Sequence, residues 1–465
     1  MQLRCWDGCR GWFGCVAPDV SKRFNSNELH DMYALATKSS RNVESLRRLF
    51  VGPTHPPVSR GARRHDSGAK VCDVAALGDT VDSVRRRNLS TVLELVHRGG
   101  EPSRAELTTL TGLNRSTIGA LVAELAELGL VQETDPGATN RVGRPSRRVV
   151  PDPRPAIIAV NPEIDAVTVA LVGLGARVEH RIRRELDHIA SPEEAAAVVG
   201  EVVEELRAGP GATRRLVAVG LAVPGLVRAS DGVVRWAPHL GWRESSFARL
   251  VESVVGLPTV ADNDATLGAL AERLFGVGRG VDQLVYLNGG ASGIGGGVIV
   301  NGQPYRGAFG YAGEFGHNRP RLDDPAHRAT VGGTLEEEVS RARLLEILGR
   351  RTADEPEFEA AVLSSDDPKL HAELARQQIV LGGALGNAIN VLGPELVVLG
   401  GFLGTLLAWD APALEAAVAA RTLPVAWEGA RIRAAALGRD RLLIGAAELA
   451  FSQILRDPAS FGSLG

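Results

Sequence analysis

The chain has 465 residues, of which 44% are hydrophobic and 23% charged, with a formal net charge of −3. That length excludes a single small core and predicts two or three domains. No apolar run approaches the roughly 20 residues that a membrane-spanning helix needs. The body of the chain is not held by disulfides, because the only cysteines are Cys5, Cys9, Cys15 and Cys72. We therefore expect a cytoplasmic protein with no membrane partner.

The charges are unevenly distributed along the chain. Residues 1–80 carry 12 basic and 8 acidic side chains, residues 81–150 carry 10 and 8, and residues 151–465 carry 30 and 39. A mildly basic N-terminal part followed by an acidic remainder of the chain is consistent with nucleic-acid binding at the N-terminal end. The alternative is that these charges only solvate the surface.

Residues 1–79 show no sustained helical or strand periodicity, and the stretch 60–70 has no apolar face to bury. We predict a disordered extension here. A translation-start artefact is a further interpretation, in which case the natural chain begins near Val71 or Val81. The first three cysteines are also candidate metal ligands, but no fourth ligand lies at a zinc-like spacing.

Residues 80–150 carry the pattern of three helices and a hairpin. A helix predicted over 81–96 ends at a pair of glycines. Ser103 and Glu106 then form a capping box that begins a second helix, and Asn114 caps a third. Two extended segments follow, at 130–133 and 147–150. This order predicts a winged helix-turn-helix domain.

The first turn of the third helix and the loop after it carry candidate DNA contacts. The apolar face of this helix is committed to the core, so its first turn faces outward, as in a recognition helix. Glycine and proline in the loop hold arginines that can clamp phosphates or enter a minor groove. The alternative is a three-helix module that contacts only proteins. The candidate contacts are Asn114, Arg115, Ser116, Thr117, Arg141, Arg144, Arg147 and Arg148.

After a linker at 151–155, strands and helices alternate to the C-terminus. This pattern predicts an α/β body over 156–465 with two lobes about a cleft. The predicted strands are 156–160, 166–172, 178–186, 216–223, 284–287, 296–300 and 396–399. The predicted helices are 192–208, 265–275, 335–348 and 369–392.

Several strings in this order resemble the ROK family of repressors, open reading frames and sugar kinases. The strings are LAVPGLV at 221–227, ADNDA at 261–265, GIGGG at 293–297, GEFGH at 313–317 and, in the predicted wing, GRPS at 143–146. The likeness extends from about residue 83 to the C-terminus and looks closest to the xylose-repressor branch. It implies a sugar-kinase-like body of the actin-like ATPase type behind the winged helix.

The resemblance implies sugar contacts at Asn263, Asp264, Glu314, His317 and Glu336. Carboxylate, amide and imidazole groups are the types that pair with hydroxyls. Asn263 and Asp264 lie at a strand end before a helix, where α/β folds place ligand groups. In a kinase, Asp264 would accept the proton of the sugar hydroxyl. Taken alone, His317 would be an ordinary surface or core histidine.

Two departures from the family pattern bear on activity. The family's kinases begin the body with an Asp-x-Gly-Gly-Thr phosphate loop, and this chain has Asn161-Pro162-Glu163-Ile164-Asp165 instead. Proline lacks an amide hydrogen, and a glutamate repels phosphate, so we expect no ATP site. The family's cysteine-rich zinc string is replaced by residues 327–336, which have no cysteine. Because His317 and His327 cannot complete a tetrahedral site alone, we expect neither zinc nor another cofactor.

These observations predict a non-catalytic, sugar-responsive transcriptional regulator that acts as a repressor. Its expected partners are double-stranded operator DNA and a small neutral sugar, and its expected state is a homodimer or homotetramer. The main alternative is an ATP-dependent, glucokinase-like sugar kinase with an accessory DNA-binding domain. A sugar-independent DNA-binding scaffold is a third interpretation.

Overall fold

The computed structural model of the chain describes residues 81–134, 147–291, 293–320, 327–330 and 332–464. The predicted extension 1–79 and the wing residues Arg141 and Arg144 lie outside these ranges.

The described part of the chain begins with three helices and two short strands. The helices are α1 (Val81–Gly99), α2 (Arg104–Thr111) and α3 (Arg115–Glu127), and the strands β1 (Val131–Thr134) and β2 (Arg148–Pro151) pair antiparallel. Ser103 and Glu106 make the predicted capping box at α2, and Gly112 ends that helix in the left-handed conformation. The Asn114 side chain caps α3 by accepting a hydrogen bond from the Thr117 backbone N–H at 2.8 Å.

Two five-stranded sheets follow, and they share one topology. In each, three strands form an antiparallel meander, and two further strands add in parallel beside the first strand of the meander. The first sheet has the order β10-β6-β3-β4-β5, with β3 (Pro155–Pro162), β4 (Ala166–Gly173), β5 (Arg177–Glu185), β6 (Arg215–Val223) and β10 (Thr259–Asn263). The second has the order β13-β12-β11-β14-β15, with β11 (Leu284–Gly289), β12 (Ile294–Val300), β13 (Gln303–Pro304), β14 (Leu396–Gly401) and β15 (Arg431–Ala434).

A small antiparallel sheet, eleven α-helices and several short 3-10 helices complete the described fold. The small sheet contains β7 (Leu226–Val227), β8 (Val234–Ala237) and β9 (Trp242–Ser245). The helices are α4 (Pro192–Ala208), α5 (Phe247–Val255), α6 (Asp264–Leu274), α7 (Leu335–Glu338), α8 (Arg341–Ile347), α9 (Glu355–Leu363), α10 (Pro368–Leu392), α11 (Phe402–Trp409), α12 (Ala411–Ala419), α13 (Pro424–Glu428) and α14 (Arg441–Arg456). The predicted mixed α/β class is therefore confirmed.

The prediction of a single helix over 335–348 is wrong, because the helical conformation is interrupted between α7 and α8. Val339 adopts an extended conformation, with φ −103° and ψ 97°. The carbonyls that would continue the helix bond to side chains instead: Arg376 and Arg343 donate to Glu338, and Gln377 donates to Ser340. Arg376 and Gln377 come from a distant part of the chain, so the local pattern could not reveal the break.

One apolar cluster joins the three N-terminal helices to the body. It includes Leu93 of α1, Ile118 of α3, Ile157 of β3, Leu443 of α14 and Phe461 near the C-terminus, all buried. The helices α1–α3 therefore pack on the body through a shared core.

No single helix in the described ranges is long and apolar enough to cross a membrane. Only α11 and α12 taken together meet that criterion, and they meet at an angle of 97°.

Candidate functional site

Two adjacent polar residues lie where β10 ends and α6 begins. Asn263 caps α6, since its Oδ1 accepts from the Thr266 N–H at 2.9 Å, while its amide nitrogen donates to Gly225 O and to Asp264 Oδ1. Asp264 Oδ1 also accepts from the Ala265 N–H at 2.7 Å. The Asn263 side chain thus makes three hydrogen bonds within the protein, one of them to the Asp264 carboxylate at the carboxyl end of the strand.

Three more of the predicted residues lie together in the second half of the body. His317 Nε2 is 4.0 Å from Glu314 Oε2, and His317 Nδ1 is 3.7 Å from Glu336 Oε1. Both distances are too long for hydrogen bonds. The His317 side chain is 49% exposed, that of Glu314 37% and that of Glu336 17%. The imidazole and both carboxylates are therefore open to a ligand that reaches between them.

Close backbone packing sets the position of Glu336. A Cβ on Gly316 would overlap the Ile294 carbonyl and lie 3.0 Å from Glu336 Oε2. Glycine at 316 therefore lets the turn that carries His317 lie directly on β12. Glu336 Oε2 accepts from the Ile294 N–H at 3.3 Å, which fixes the carboxylate beside the same strand.

The electrostatics join Asp264 to this group. Burial raises the pKa of Asp264 to about 6, although the Ala265 N–H and the Arg441 guanidinium act in the opposite direction. Partial burial also raises the pKa of Glu314, an effect that His317 opposes and the negative charges of Asp264 and Glu336 reinforce. Asp264, Glu314, His317 and Glu336, with Asn263 behind them, are called the cleft site below.

A histidine that the sequence analysis missed faces the same space. His239 lies in the turn between β8 and β9, and it is exposed. A side chain on Gly293 would overlap Glu336 Oε2 and would lie 3.4 Å from His239 Nε2. No local signal distinguishes His239 from an ordinary loop residue, because its position depends on how the small sheet packs.

The predicted DNA contacts in the described ranges have different environments. Arg115 and Ser116 are exposed on the first turn of α3, and Thr117 is half-buried. Asn114 is used as the helix cap, and Ser116 Oγ donates to its Oδ1 at 2.7 Å. Arg148 Nη1 donates to Glu101 O and to Glu106 Oε2, so this arginine also braces the start of α2. Arg147 lies just before β2 and is exposed.

Residues 163–453 match the ROK family model, and they make up more than half of the chain. The chain belongs to the ROK family. Asp264, Glu314, His317 and Glu336 all fall within the matched range.

Individual ROK proteins similar to this chain include both regulators and kinases. The xylose repressor of Bacillus spizizenii is 25% identical over 378 residues, which cover 80% of this chain and 97% of the repressor. The glucokinase of Streptomyces coelicolor is 33% identical over 177 residues, or 38% of this chain and 54% of the kinase. A crystal structure of a ROK family transcriptional regulator, a homologue of the E. coli MLC protein, matches with a TM-score of 0.64 at 23% identity, covering 82% of this chain and 98% of that one. The expected resemblance to the xylose-repressor branch of the family is confirmed.

The turn at 163–165, which is expected from the sequence to stand in place of the ROK phosphate loop, is acidic. Glu163 Oε1 accepts from Thr168 Oγ1 at 3.0 Å, and Arg183 pairs with Asp165 at 2.9 Å. Burial raises the pKa of Glu163, while the Arg183 charge opposes that shift. Arg183 Nη2 also lies 3.6 Å from Glu163 Oε2. The turn therefore carries two carboxyl groups, both paired with the same arginine of β5.

A second polar cluster lies at the carboxyl ends of β11 and β14. The Arg441 guanidinium, which is 7% exposed, donates to Asn288 Oδ1 and pairs through two nitrogens with the Glu355 carboxylate at 2.6 Å and 3.0 Å. A Cβ on Gly400 would lie 3.2 Å from Arg441 Nε. The arginine side chain thus occupies the space beside these strand ends.

The segment at 327–336, which is expected from the sequence to replace the ROK zinc string, is held by hydrogen bonds in its described part. Glu338 accepts from the backbone N–H groups of Ala329 and Thr330, and Arg376 donates to Glu338 and to His327 O. These bonds, together with Arg376, lower the pKa of Glu338 even though burial opposes the shift. Among the described residues, no group of three or more histidine, cysteine or acidic side chains has the arrangement of a metal site.

Proposed function

We propose that this ROK protein is a sugar-responsive transcriptional repressor that binds operator DNA through α2 and α3. The observation that carries the proposal is the extent of the fold match. The body from residue 156 onward is about two thirds of the chain, whereas the match to the ROK transcriptional regulator covers 82%. A match of that extent is longer than the body alone, which supports a likeness that also takes in N-terminal residues.

The chemistry of α3 supports DNA as the partner. Arg115 and Ser116 stand exposed at the start of a helix whose other face is buried in the core. Arginine and serine at this position can read base edges in a major groove. Arg147 and Arg148 stand at the base of the predicted wing, where their charge favours phosphate contacts. A homodimer or homotetramer would present such helices in pairs to a near-palindromic operator in the cytoplasm.

The cleft site supports a small neutral sugar as the effector. His317 lies too far from the Glu314 and Glu336 carboxylates to hydrogen-bond to either of them. These residues stand at the positions where the family resemblance implies sugar contacts. Hydroxyl groups can bridge such acceptors and donors. The sugar changes DNA affinity by binding the DNA-competent and DNA-incompetent conformations unequally.

The acidic turn at 163–165 supports a regulator without phosphoryl transfer. A nucleotide's phosphates would meet the carboxyl groups of Glu163 and Asp165 here, and Pro162 offers no N–H. The glucokinase-like alternative is favoured by one observation, the pKa of Asp264 near 6, which suits a general base. Activity assays separate the two functions.

The test combines operator binding with a kinase assay on the full chain. A fluorescent duplex, selected from random DNA by the wild-type protein, is titrated with and without D-xylose or D-glucose. We expect one of the sugars to change the apparent operator affinity, and Arg115→Ala to alter sequence preference. We also expect no sugar-dependent ATP turnover. Turnover that disappears in Asp264→Asn, with no sugar effect on DNA, would establish the kinase instead.

A further inference from the structure

A buried histidine connects the first helix to the body. His97, near the end of α1, has no exposed side-chain surface, and its Nε2 lies 2.7 Å from Glu448 Oε1 of α14. The Gly175 N–H donates to His97 Nδ1 at 2.9 Å. Because Nδ1 accepts, the neutral ring carries its proton on Nε2 and donates it to the carboxylate. Both ring nitrogens are therefore used in contacts with the body.

The same ring also packs on two aromatic side chains of the body. Phe275 meets the ring edge-on at a centroid distance of 5.4 Å, and Phe451 of α14 lies at 5.9 Å. We call the set of His97, Gly175, Phe275, Glu448 and Phe451 the joint.

Helix α6 runs between the cleft site and the joint. Asp264 is its first residue, and Phe275 is the residue that ends it. Eleven residues of α-helix span about 16 Å. A shift of the Asp264 end along or about the helix axis therefore moves Phe275, which contacts His97 directly.

A second route crosses from α6 to α14. A Cβ on Gly445 would overlap the carbonyl of Leu267, so the two helices touch backbone to backbone. Leu267 lies one helical turn after Asp264, and Glu448 lies one turn after Gly445. Both routes pass through close-packed segments, which transmit small displacements because a packed interior has little free volume.

We propose that His97 is the positioning residue that couples the cleft site to the DNA-binding helices. This inference rests on the proposed function. In it, sugar binding at Asp264 moves α6, and the Glu448 and Phe275 contacts pass that movement through His97 to α1. The His97 contacts differ between the sugar-bound and sugar-free states, which is the requirement for a coupling free energy.

The test replaces the joint's polar contacts while keeping its packing. The variant His97→Phe/Glu448→Met keeps an aromatic ring and a long side chain but removes the hydrogen bonds and the buried carboxylate. Replacing a buried polar pair by apolar groups of similar volume preserves folding in many proteins. Arg86→Gln is the control, since it removes an exposed contact between the same helix and Asp457.

Two measurements are made on the full-length proteins. The first is the ratio of operator affinities with and without saturating D-xylose or D-glucose, whichever the wild type binds. The second is hydrogen exchange of residues 92–99 and 263–275 with the same sugar, which needs no DNA. For the wild type and Arg86→Gln we expect an operator ratio of about 5-fold or more, and sugar-dependent exchange in both segments.

For the joint variant we expect sugar affinity within about 3-fold of wild type, a sugar effect on exchange at 263–275 only, and an operator ratio within about 2-fold of one. A folded joint variant that keeps the wild-type ratio, and still shows the exchange effect at 92–99, would overturn the inference alone. If no sugar that the wild type binds changes its operator affinity, both the proposed function and this inference would be overturned.

Discussion

The cleft site brings a histidine beside two glutamate carboxylates and the joint brings one beside a single glutamate carboxylate, at different distances and depths. At His317 the carboxylate oxygens lie 3.7 Å and 4.0 Å away, and about half of the side chain is exposed. At His97 the oxygen lies 2.7 Å away, and the side chains of both partners are buried. The His317 ring can therefore form hydrogen bonds to a ligand, whereas the His97 ring already forms its hydrogen bonds within the protein.

This difference reflects how a fold treats polar groups. A buried polar group without a hydrogen-bond partner costs about 1–3 kcal/mol of stability. Buried polar groups are therefore found mainly where their hydrogen bonds are made. Exposed groups can keep water until a ligand replaces it, and their arrangement then serves recognition rather than stability. The comparison predicts that substitutions at the joint change stability and coupling, while those at the cleft site change ligand binding.

The largest expected effect comes from the same substitution at the two histidines. His97→Ala leaves the Glu448 carboxylate buried without its partner, and should lower the free energy of unfolding by about 3–5 kcal/mol. His317→Ala removes an exposed ring without a hydrogen bond to either carboxylate, and should change that free energy by only about 0.5 kcal/mol. Urea unfolding followed by circular dichroism measures both. Equal losses would show that the two environments are energetically alike.

The next largest effect concerns sugar affinity at Glu336. Glu336→Gln keeps an oxygen for the Ile294 N–H but removes the charge, and should cost about 1.5–3 kcal/mol of sugar binding. Glu337→Gln is the matched control on the same short helix, because glutamine also serves in the capping box with Thr334. Calorimetric titration with the sugar that the wild type binds should show weaker binding by Glu336→Gln than by Glu337→Gln. A control that loses as much affinity as Glu336→Gln would argue against the cleft site.

Asp264 gives a pH-dependent effect of about 1–3 kcal/mol. The rise in its pKa corresponds to about 3 kcal/mol, at about 1.4 kcal/mol per pH unit, and solvent around this half-buried side chain reduces that value. Its folded pKa of about 6 exceeds the usual value of 3.8, so the folded state holds this proton more tightly than the unfolded state. Its contribution to stability therefore falls as the pH rises from about 4 to above 6. We expect Asp264→Asn to be more stable than wild type at pH 7.5 and nearly equal to it at pH 4. Thermal unfolding at the two pH values tests this, and a difference that does not change with pH would contradict the shift.

The smallest expected effect is at His239. If His239 completes the cleft site from the turn between β8 and β9, His239→Ala should weaken sugar binding by about 0.5–1.5 kcal/mol, the net value of one hydrogen bond. His188→Ala is the control, because His188 is also exposed but pairs with Asp187. In sugar titrations, His239→Ala should bind the sugar more weakly than His188→Ala. Identical affinities of the two variants would show that His239 does not belong to the site.

The sequence predicted local features well because their causes lie within a few residues. The capping box at Ser103 and Glu106, the cap at Asn114 and most strands of the two sheets were expected from spacing alone. The break between α7 and α8 was not, since it depends on Arg376 and Gln377, which follow it by more than thirty residues. Strands β7–β9, β13 and β15 and several short helices were also missed, because their apolar patterns are too short to be distinctive.

The cleft site was predicted by resemblance, residue by residue, but its geometry was not. Asn263 was expected to contact a sugar, and the structure uses its amide to cap α6 and to hold Asp264. His239 could not be chosen among the chain's ten histidines. Its position near Glu336 depends on the packing of the small sheet against Gly293, a relation between segments more than fifty residues apart.

The sequence by itself therefore determined the α/β class, the capped helices at the N-terminal end and the family to which the chain belongs. These follow from periodicity, capping and ordered strings, which act over short distances along the chain. The tertiary structure alone decided which polar groups are satisfied and which are open. His97 and His317 are both histidines near a glycine in the sequence. Only the packing of α1 against α14 buries the first beside Glu448, and only the turn on β12 leaves the second exposed between two carboxylates.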